Sequence, residues 1–391
     1  MKYRFLFTFV FLTLCGFLQS QNSEIQINGE VKNLTNNKLL YYSFKIKDRL
    51  ERGICEIKEN KFVIRVNEEF PILITLHKNS SYDLAKNTSC KFYVDSESNK
   101  VLLDYLNFEN SQIIGSKADV DYKQYVSNNN KYDSIRKKLS QFSNEYYNLS
   151  SQNQNSQISD KYKKKNDSID SLLKKNQEIQ LLADLKYTKT NPNSEWMLEK
   201  IYIQLNRDIG RKYLDTIADV FDGMSINAKS SKIGVKMKNG IENIRRSAVG
   251  QVAPEITGLD LNGTNVSLLE LRNKKYVLLD FWATWCAPCR EDFGFLRESY
   301  KKFNTKGLEI ISISKDENLD MWKKIIQKDS VQDWIHYSIK FNKSDVEEKY
   351  MVTAIPVKIL IDLNGKIIGR WKGGGNENKI EVEKLLSEIF K

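Results

Sequence analysis

Histidine, proline and cysteine are scarce in this sequence, and their scarcity excludes several kinds of protein. The 391 residues include 2 histidines, 5 prolines and 5 cysteines. Two isolated histidines leave almost no material for a histidine-built metal site or catalytic triad, so we expect no metal and no bound cofactor. No Cys-x-x-Cys-His sequence occurs, which excludes covalent attachment of a c-type haem. Beyond residue 20, no apolar run reaches the ~18 residues that a membrane-spanning helix needs.

The chain carries a formal net charge of +11, but the distribution of that charge argues against nucleic-acid binding. Residues 117–249 hold 24 Lys and Arg against 16 Asp and Glu, whereas residues 21–116 and 250–391 are nearly balanced. The excess is spread over sequence with helical periodicity, which is typical of a solvated helix surface. We therefore expect no nucleic-acid partner.

The first 20 residues have the composition of a secretory signal peptide. A basic start at Met1–Arg4 precedes an apolar run over Phe5–Leu18, and the segment ends at the small residue Ser20. We predict cleavage near Ser20 and export to the periplasm or cell envelope, where disulfides form and persist. The alternative is an uncleaved membrane anchor, although about 14 apolar residues are short for a full span.

The composition and periodicity of the remaining sequence change twice, which predicts a multidomain protein. We expect a β-rich, sandwich-like domain over residues 21–116, an α-helical connector over 117–248 and an α/β domain over 249–391. In the first domain, β-branched and aromatic residues partly alternate. The five strands predicted there are Glu24–Val31, Asn60–Val66, Phe70–His77, Lys91–Asp95 and Lys100–Tyr105.

Two cysteines and one proline of the β-rich domain carry structural predictions. Cys55 and Cys90 form a structural disulfide if their strands are neighbours, and are otherwise buried free thiols; the sequence leaves both open. Pro71 predicts an edge strand or a strand that begins there.

The connector places apolar residues at every third or fourth position against a background of Lys, Asn, Ser and Gln, which predicts helices. The polar run Ser150–Gln157 predicts a loop. The segment Asn191–Ser194 contains Pro192 and predicts that one helix ends and another begins.

From residue 249, strand-like and helix-like segments alternate in the order βαβ–ββα, which predicts a mixed sheet flanked by helices. The predicted strands are Tyr276–Trp282, Leu308–Ser314, Ile355–Asp362 and Lys366–Trp371, the last two joined by a turn at Asn364-Gly365. The predicted helices run from the cysteine pair to Phe303, over Asp316–Ser330 and over Asn378–Phe390.

The sequence Cys286-Ala287-Pro288-Cys289 directly follows a predicted buried strand and opens a predicted helix. At a helix N-terminus the dipole and the free N–H groups stabilise a thiolate, which is the attacking species in disulfide exchange. Cys289 lies one turn later, within reach of Cys286, and Pro288 suits the first helical turn. We predict a redox-active disulfide between these cysteines. The alternatives are a purely structural disulfide and half of a zinc site, but zinc needs further ligands and His336 is isolated.

Residues 250–391 resemble the exported thioredoxins of the TlpA and ResA type, and the resemblance implies a thioredoxin-like fold. It is carried by four motifs in the expected order, which are Val252–Glu255 with Leu259–Gly263, Phe281–Cys289, Val352–Pro356 and Leu360–Gly365. The upstream region resembles an uncharacterised β-domain that often precedes such thioredoxins.

The resemblance implies a role for each matched residue. Cys286 is then the nucleophile and Cys289 the resolving cysteine, while Pro356 is the cis-proline that faces them and Ile355 offers its backbone to a substrate. Asp280 matches the buried acid beneath the active site. Burial in an apolar strand raises the pKa of a carboxyl group, so we expect Asp280 to exchange a proton with Cys289.

Four further residues surround the predicted site. Asp292 stands where the family usually has Glu, which makes it a candidate for tuning the pair. Gly294 stands where thioredoxins carry a kinking proline, and a bend is expected to survive because Gly also weakens a helix. Trp282 and Trp285 are expected to form apolar walls, with Trp285 and Pro288 on the substrate side.

These residues predict an exported thiol–disulfide oxidoreductase. The Ala287-Pro288 pair resembles reducing members of the superfamily, which favours reduction of protein disulfides, a role of the cytochrome c maturation type and a membrane thiol electron donor. One alternative is a peroxiredoxin-type peroxidase, although Thr284 is too close to Cys286 for that family's motif. The other is an envelope adaptor without catalysis. The sequence gives no indication of oligomeric state.

Overall fold

The computed structural model describes residues 25–34, 38–46, 49–66, 71–80, 88–96, 99–152 and 156–391. The predicted signal peptide, residues 1–20, lies outside these ranges. Contacts between Cα atoms divide the chain into two compact units, residues 1–128 and 129–391. Within the described ranges, no helix combines the length and the apolar character needed to cross a membrane.

The described part of the first unit contains two four-stranded sheets. Its strands are β1 (Ile25–Lys32), β2 (Leu39–Ile46), β3 (Arg49–Glu56), β4 (Lys61–Val66), β5 (Ile72–His77), β6 (Ser89–Val94), β7 (Lys100–Asp104) and β8 (Gln112–Ile114), with a 3₁₀ helix at Phe108–Asn110. The strand orders are β4–β1–β7–β8 and β3–β2–β5–β6. β1 is parallel to β7, and the other neighbours are antiparallel.

The two sheets bury their facing sides against each other. Ile27 and Ile64 from the first sheet share one hydrophobic cluster with Leu40, Ile74 and Phe92 from the second. β1 alternates between buried and exposed positions along its length, as expected when one face of a sheet covers a core. The predicted β-sandwich-like fold is therefore confirmed.

The sequence analysis missed the hairpin formed by β2 and β3. β3 carries two arginines, two glutamates and a glycine, which are unfavourable in a central strand. It lies at the edge of its sheet, where charged side chains reach solvent and discourage pairing with other chains. Pro71 immediately precedes β5, which is an inner strand, so the proline marks a strand start and not an edge.

Cys55 and Cys90 are free thiols in this structure. They lie on β3 and β6, the two opposite edges of one sheet, with β2 and β5 between them. Three strand spacings amount to about 14 Å, well beyond the reach of a disulfide. Burial raises the pKa of each thiol to about 12, so both are almost entirely protonated at neutral pH.

Helices follow the sandwich, as the periodicity predicts, and the described residues between 117 and 248 form seven of them. They are α1 (Lys117–Gln152), α2 (Ser156–Thr190), α3 (Glu195–Leu205), α4 (Asp208–Lys212), α5 (Leu214–Asp222), α6 (Ile226–Ser230) and α7 (Lys232–Arg246). The break between α2 and α3 lies at the predicted position, Asn191–Ser194. The predicted loop at Ser150–Gln157 was too long, because its described residues belong to the ends of α1 and α2. There Ser150 and Ser159 bond each other's backbone carbonyl, so polar side chains secure the helix ends.

The C-terminal part of the second unit is built on a five-stranded mixed sheet. Its elements are β9 (Thr257–Leu259), β10 (Asn265–Ser267), α8 (Leu268–Leu271), β11 (Tyr276–Trp282), α9 (Ala287–Glu291), α10 (Phe293–Phe303), a 3₁₀ helix (Asn304–Lys306), β12 (Leu308–Ser314), α11 (Leu319–Lys328), β13 (Ile335–Ser338), α12 (Ile339–Asn342), α13 (Val346–Lys349), β14 (Val357–Ile361), β15 (Ile367–Lys372) and α14 (Asn376–Ile389). The order is β13–β12–β11–β14–β15, with β11, β12 and β13 parallel and β14 and β15 antiparallel. β11 is central, and its residues after Tyr276 are all buried.

This architecture confirms the predicted mixed sheet and the multidomain fold class. The four-residue strand β13 was missed because it is too short to show a period. The small hairpin of β9 and β10 was missed for the same reason.

A glycine in β1 makes room for a core aromatic side chain, and this contact yields a test of the sandwich. Gly29 pairs with Phe62 across β1 and β4, and a Cβ added at Gly29 would overlap the Phe62 ring. We expect Gly29→Ala to lower the free energy of unfolding by about 1–3 kcal/mol through overpacking, as measured by urea denaturation. Asn28→Ala, at an exposed position of β1, should change it by less than about 0.5 kcal/mol. Equal stability of Gly29→Ala and the wild type would contradict the packing described here.

Candidate active site

The loop between β11 and α9 is fixed by Asp316, a buried acid just after β12. The backbone N–H of Thr284 donates to Asp316 Oδ2 at 3.0 Å and its hydroxyl to Asp316 Oδ1 at 2.7 Å. Ser314 Oγ donates to Asp316 Oδ2 at 2.8 Å. The sequence analysis placed Asp316 at the start of a helix, but the helix begins at Leu319. Asp316 instead holds the loop that leads into the cysteine pair.

A disulfide joins Cys286 to Cys289, with 5.3 Å between their Cα atoms. Cys286 is the N-cap of α9, and its carbonyl oxygen accepts a hydrogen bond from the Arg290 N–H at 3.2 Å. Pro288 lies in the first turn of α9 and is exposed. Cys286 is 5% exposed, whereas Cys289 is completely buried. Of the two cysteines, only Cys286 has any contact with solvent.

Apolar side chains surround the disulfide on its protein side. Both cysteines belong to a hydrophobic cluster that includes Trp282 and Phe293, with Ile355 packed against it. The rings of Trp282 and Phe293 meet edge to face, with 4.9 Å between their centroids. The two predicted apolar walls therefore differ, because Trp282 is fully buried whereas the next tryptophan, Trp285, is 69% exposed.

The loop before β14 contains a cis peptide bond between Ile355 and Pro356. The Pro356 carbonyl accepts a hydrogen bond from the Gly373 N–H at 2.8 Å. A Cβ added at Gly374 would lie 3.1 Å from the Cβ of Pro288, so this glycine lies directly beside the start of α9. The sequence analysis overlooked these glycines, although three in succession after a strand are a signal of close backbone approach.

Beneath the disulfide helix, one buried lysine bridges two buried acids. Lys358 Nζ lies 2.5 Å from Asp292 Oδ2 and 3.6 Å from Asp280 Oδ1. Asp280 and Lys358 are direct cross-strand partners on β11 and β14. Lys379 Nζ lies 3.5 Å from the other oxygen of Asp292. The sequence analysis missed Lys358, although a lone charge in an apolar strand is the same signal that identified Asp280.

Asp280 has a second polar partner on the opposite side of β11. Ser312 Oγ on β12 donates to Asp280 Oδ2 at 3.1 Å, and Trp334 Nε1 donates to Ser312 Oγ at 2.9 Å. Burial raises the pKa of Asp280, and the nearby charge of Lys358 is the main influence that opposes this rise. The pKa of Asp280 is therefore raised by burial and only partly restored by Lys358.

The predicted single helix after the cysteine pair is interrupted at Asp292, and not at Gly294 as expected. The Asp292 N–H donates to the Cys289 carbonyl at 3.2 Å, and the Asp292 carbonyl accepts from the Leu296 N–H at 3.1 Å. The tight turn directs the Asp292 side chain to Lys358. The bend at Asp292 therefore places a carboxylate in the buried charge network, which Gly294 could not do because it has no side chain.

Among the residues that the structure describes, no group of three or more His, Cys, Asp and Glu side chains is arranged to hold a metal ion. His336 is buried, and its Nε2–H donates to the Val331 carbonyl at 2.6 Å. Burial lowers the pKa of His336 to about 4, so it is neutral at physiological pH.

Comparison with known proteins assigns the C-terminal part to a family. A family model described as thioredoxin-like matches residues 273–367. The thiol-disulfide oxidoreductase ResA of Bacillus cereus is 30% identical over 166 residues, which are 41% of this chain and 90% of that protein. The chain belongs to the ResA family of thiol-disulfide oxidoreductases. ResA of Bacillus thuringiensis subsp. konkukian is 32% identical over 146 residues, which are 36% of this chain and 78% of that protein.

Among solved structures, the thioredoxin domain of a thiol-disulfide oxidoreductase from Bacteroides vulgatus is 38% identical and covers 36% of this chain and 98% of its own, with a TM-score of 0.32. Membership of the ResA family confirms the predicted resemblance and makes this protein a thiol–disulfide oxidoreductase that acts on disulfide-containing proteins. More than half of the chain lies outside the ResA match.

The opposing influences on Asp280 predict how stability depends on pH. Because the pKa of Asp280 is raised above its ordinary value of 3.8, its carboxyl group favours folding below about pH 4, and this contribution is lost as the pH rises through the folded-state pKa. We expect the free energy of unfolding of the oxidised wild type, relative to Asp280→Asn, to fall as the pH rises above about 4, as measured by guanidinium denaturation. Glu298→Gln, at an exposed acid on α10, should run parallel to the wild type. Parallel curves for Asp280→Asn and the wild type would show that Asp280 has an ordinary pKa.

Proposed function

We propose that this protein is exported and reduces disulfides in other proteins, with Cys286 as the nucleophile and Cys289 as the resolving cysteine. The observation that carries the proposal is the asymmetry of the pair. Cys286 is the N-cap of α9 and is 5% exposed, whereas Cys289 is completely buried. The helix N-terminus stabilises a thiolate on Cys286 in the reduced protein.

The proposed reaction is a two-step exchange. The Cys286 thiolate attacks one sulfur of the client disulfide, which forms a mixed disulfide and releases the other client sulfur as a thiolate. The Cys289 thiolate then attacks the Cys286 sulfur, which releases the second client sulfur and leaves the Cys286–Cys289 disulfide. Two electrons pass from the enzyme to the client, and a thiol donor restores the reduced enzyme.

The resolving step requires that Cys289 lose its proton, and we assign the acceptor role to Asp280. A carboxyl group whose pKa is raised by burial is a stronger base than an exposed one. Lys358 stabilises the charged form of Asp280 and is tied to Asp292, so Asp292 tunes the site through the lysine.

The client is proposed to bind across the exposed edge of the pair. Trp285 and Pro288 are exposed on one side, and Ile355 is half-buried on the loop that carries the cis bond. Ile355 would offer its backbone to an extended client segment, and Trp285 would cover the apolar part of that segment.

Further proposals concern the cellular context and the domain boundaries. Electrons would come from a membrane thiol donor, in a role of the cytochrome c maturation type, after export directed by residues 1–20. The Ala287-Pro288 pair between the cysteines, typical of reducing thioredoxins, supports the direction. We propose 249–391 as the thioredoxin-like domain, preceded by a connector over 117–248 and a β-rich domain over 21–116, since the family match at 273–367 falls inside the last segment.

Removing the resolving cysteine should turn the enzyme into a trap. With a disulfide-containing client protein, reduced Cys289→Ser is expected to accumulate a covalent adduct on non-reducing gels that dithiothreitol removes, because no second thiol resolves the mixed disulfide. Cys286→Ser should form none. Cys90→Ser, at the partly buried free thiol of β6, is the matched control and should turn over like the wild type. Adducts with Cys286→Ser alone would reverse the assignment. Full function in cells of a variant that carries both Cys286→Ser and Cys289→Ser would support the adaptor alternative.

The reduction potential of the pair tests the direction of electron flow. Equilibration against glutathione or dithiothreitol should give a value near that of thioredoxin, about −270 mV, if the protein is a reductase. A value near about −120 mV would identify a disulfide donor and overturn the proposed direction. A peroxide-consumption assay on the same samples distinguishes the disulfide reductase from the peroxiredoxin-type peroxidase. Little consumption is expected, because the Thr284 hydroxyl is bound to Asp316.

A further inference from the structure

A small cavity lies within the second unit, between the helical segment and the loop that precedes Pro356. Its volume is about 130 Å³. One wall is formed by residues 205–211 at the end of α3 and in α4, and the other by residues 351–354 with β15. The Thr353 hydroxyl donates to the Asn206 carbonyl at 2.9 Å, which ties the two walls together. Organic ligands occupy pockets of about 300 Å³ or more, so this cavity fits only a small ligand.

Two arginines from distant parts of the chain line this cavity. Arg211 comes from α4 and Arg370 from β15. Nη2 of Arg211 and Nη1 of Arg370 are both buried and have no hydrogen-bond partner. Buried N–H groups almost always find an acceptor, so two unpartnered guanidinium nitrogens in one small cavity indicate a missing acceptor. The position of the Arg370 side chain is fixed by a hydrogen bond, which its Nη2 donates to the Tyr350 carbonyl at 2.9 Å.

The charges around the cavity do not balance. Its lining contains three cationic side chains, those of Arg211, Arg370 and Lys372, and one carboxylate, Asp208. Asp208 Oδ1 is paired with Lys372 Nζ at 3.0 Å, and the Asp208 side chain is 81% exposed. Burial lowers the pKa of both arginines, and the negative charge of Asp208 only partly opposes this. Burial, followed by the positive charge of Arg211, lowers the pKa of Arg370 to about 9. The two guanidinium groups therefore repel each other, and a bound anion would stabilise the charged form of both.

A third unpartnered atom narrows the choice of anion. Asn206 also lines the cavity, and its buried Oδ1 accepts no hydrogen bond. An ion that satisfies all three groups must present oxygens to the arginines and an O–H to the asparagine. Hydrogen phosphate does both at neutral pH, whereas sulfate has no proton to donate. Guanidinium groups match the oxygens of such an ion in geometry as well as in charge.

We propose that this cavity binds inorganic hydrogen phosphate, with Arg211 and Arg370 donating to its oxygens and Asn206 accepting from its hydroxyl. The site is separate from the disulfide, and its occupancy transfers no electrons. The phosphate proposal is therefore independent of the proposed redox function.

Phosphate titration of the full-length oxidised protein tests the proposal. Calorimetry at constant ionic strength should show saturable binding of phosphate, and the thermal unfolding midpoint should rise with phosphate concentration because the ion binds only the folded state. Sulfate should bind at least about tenfold more weakly, since it cannot donate to Asn206. No phosphate binding up to about 10 mM, or equal binding of sulfate, would overturn the proposal.

Substitution of the arginines locates the binding site. Arg211→Gln should weaken phosphate binding at least about tenfold and abolish the thermal shift, because a charge-assisted donor is lost. Arg370→Gln should do the same, but that variant also loses the bond to Tyr350, so Arg211→Gln is the decisive one. Arg245→Gln, at a half-exposed arginine paired with the exposed Asp215, is the control and should bind phosphate like the wild type. Unchanged binding by folded Arg211→Gln would place phosphate elsewhere and refute the site.

Discussion

The pairing of β11 with β12 on one side and β14 on the other is the constraint on which the active site depends. It sets Asp280 opposite Ser312 and Lys358 in register. Because β11 is buried on both faces, a shift of one residue would move apolar side chains and Asp280 to the wrong layers, so the register is strongly specified. The same strand ends at Trp282 and delivers the chain to the loop that Thr284 anchors, and so to the start of the disulfide helix. The sheet thus positions both the sulfur atoms and the buried charges.

Burying the charged side chains of Lys358, Asp280 and Asp292 costs desolvation free energy. That cost indicates that they serve a purpose other than stability. Breaking a buried ion pair typically costs 3–5 kcal/mol, yet replacing the whole pair with apolar side chains is often neutral or stabilising. Lys358, Asp280 and Asp292 therefore contribute little net stability that an apolar core could not supply. Their arrangement instead joins Asp280, whose pKa is raised, through Lys358 to Asp292 at the end of the disulfide helix. A group with a perturbed pKa is typical of functional sites, which supports the proposed role of Asp280 as a proton acceptor.

Cysteine behaves in two opposite ways in this protein, and the surroundings decide which. In the β-sandwich, Cys55 and Cys90 sit on outer strands among apolar side chains, where burial raises the pKa of each to about 12 and leaves an inert thiol. In the thioredoxin-like part, Cys286 caps a helix whose free N–H groups favour the thiolate. Burial also disfavours the charged form of Arg211 and Arg370, which line the cavity beside residues 351–354. Charged groups removed from water require a counter-charge.

The sequence by itself determined the fold class, the helix break at Asn191–Ser194, the strand that carries Asp280 and the position of the cysteine pair at a helix start. Each of these follows from residues a few positions apart, because strand periodicity, helix stops and caps are local. It could not show that Asp316 anchors the loop, that Lys358 joins two acids or that Arg211 and Arg370 face one cavity. Those groups lie tens to more than a hundred residues apart in the chain, and only strand pairing and the packing of helices onto the sheet bring their side chains together.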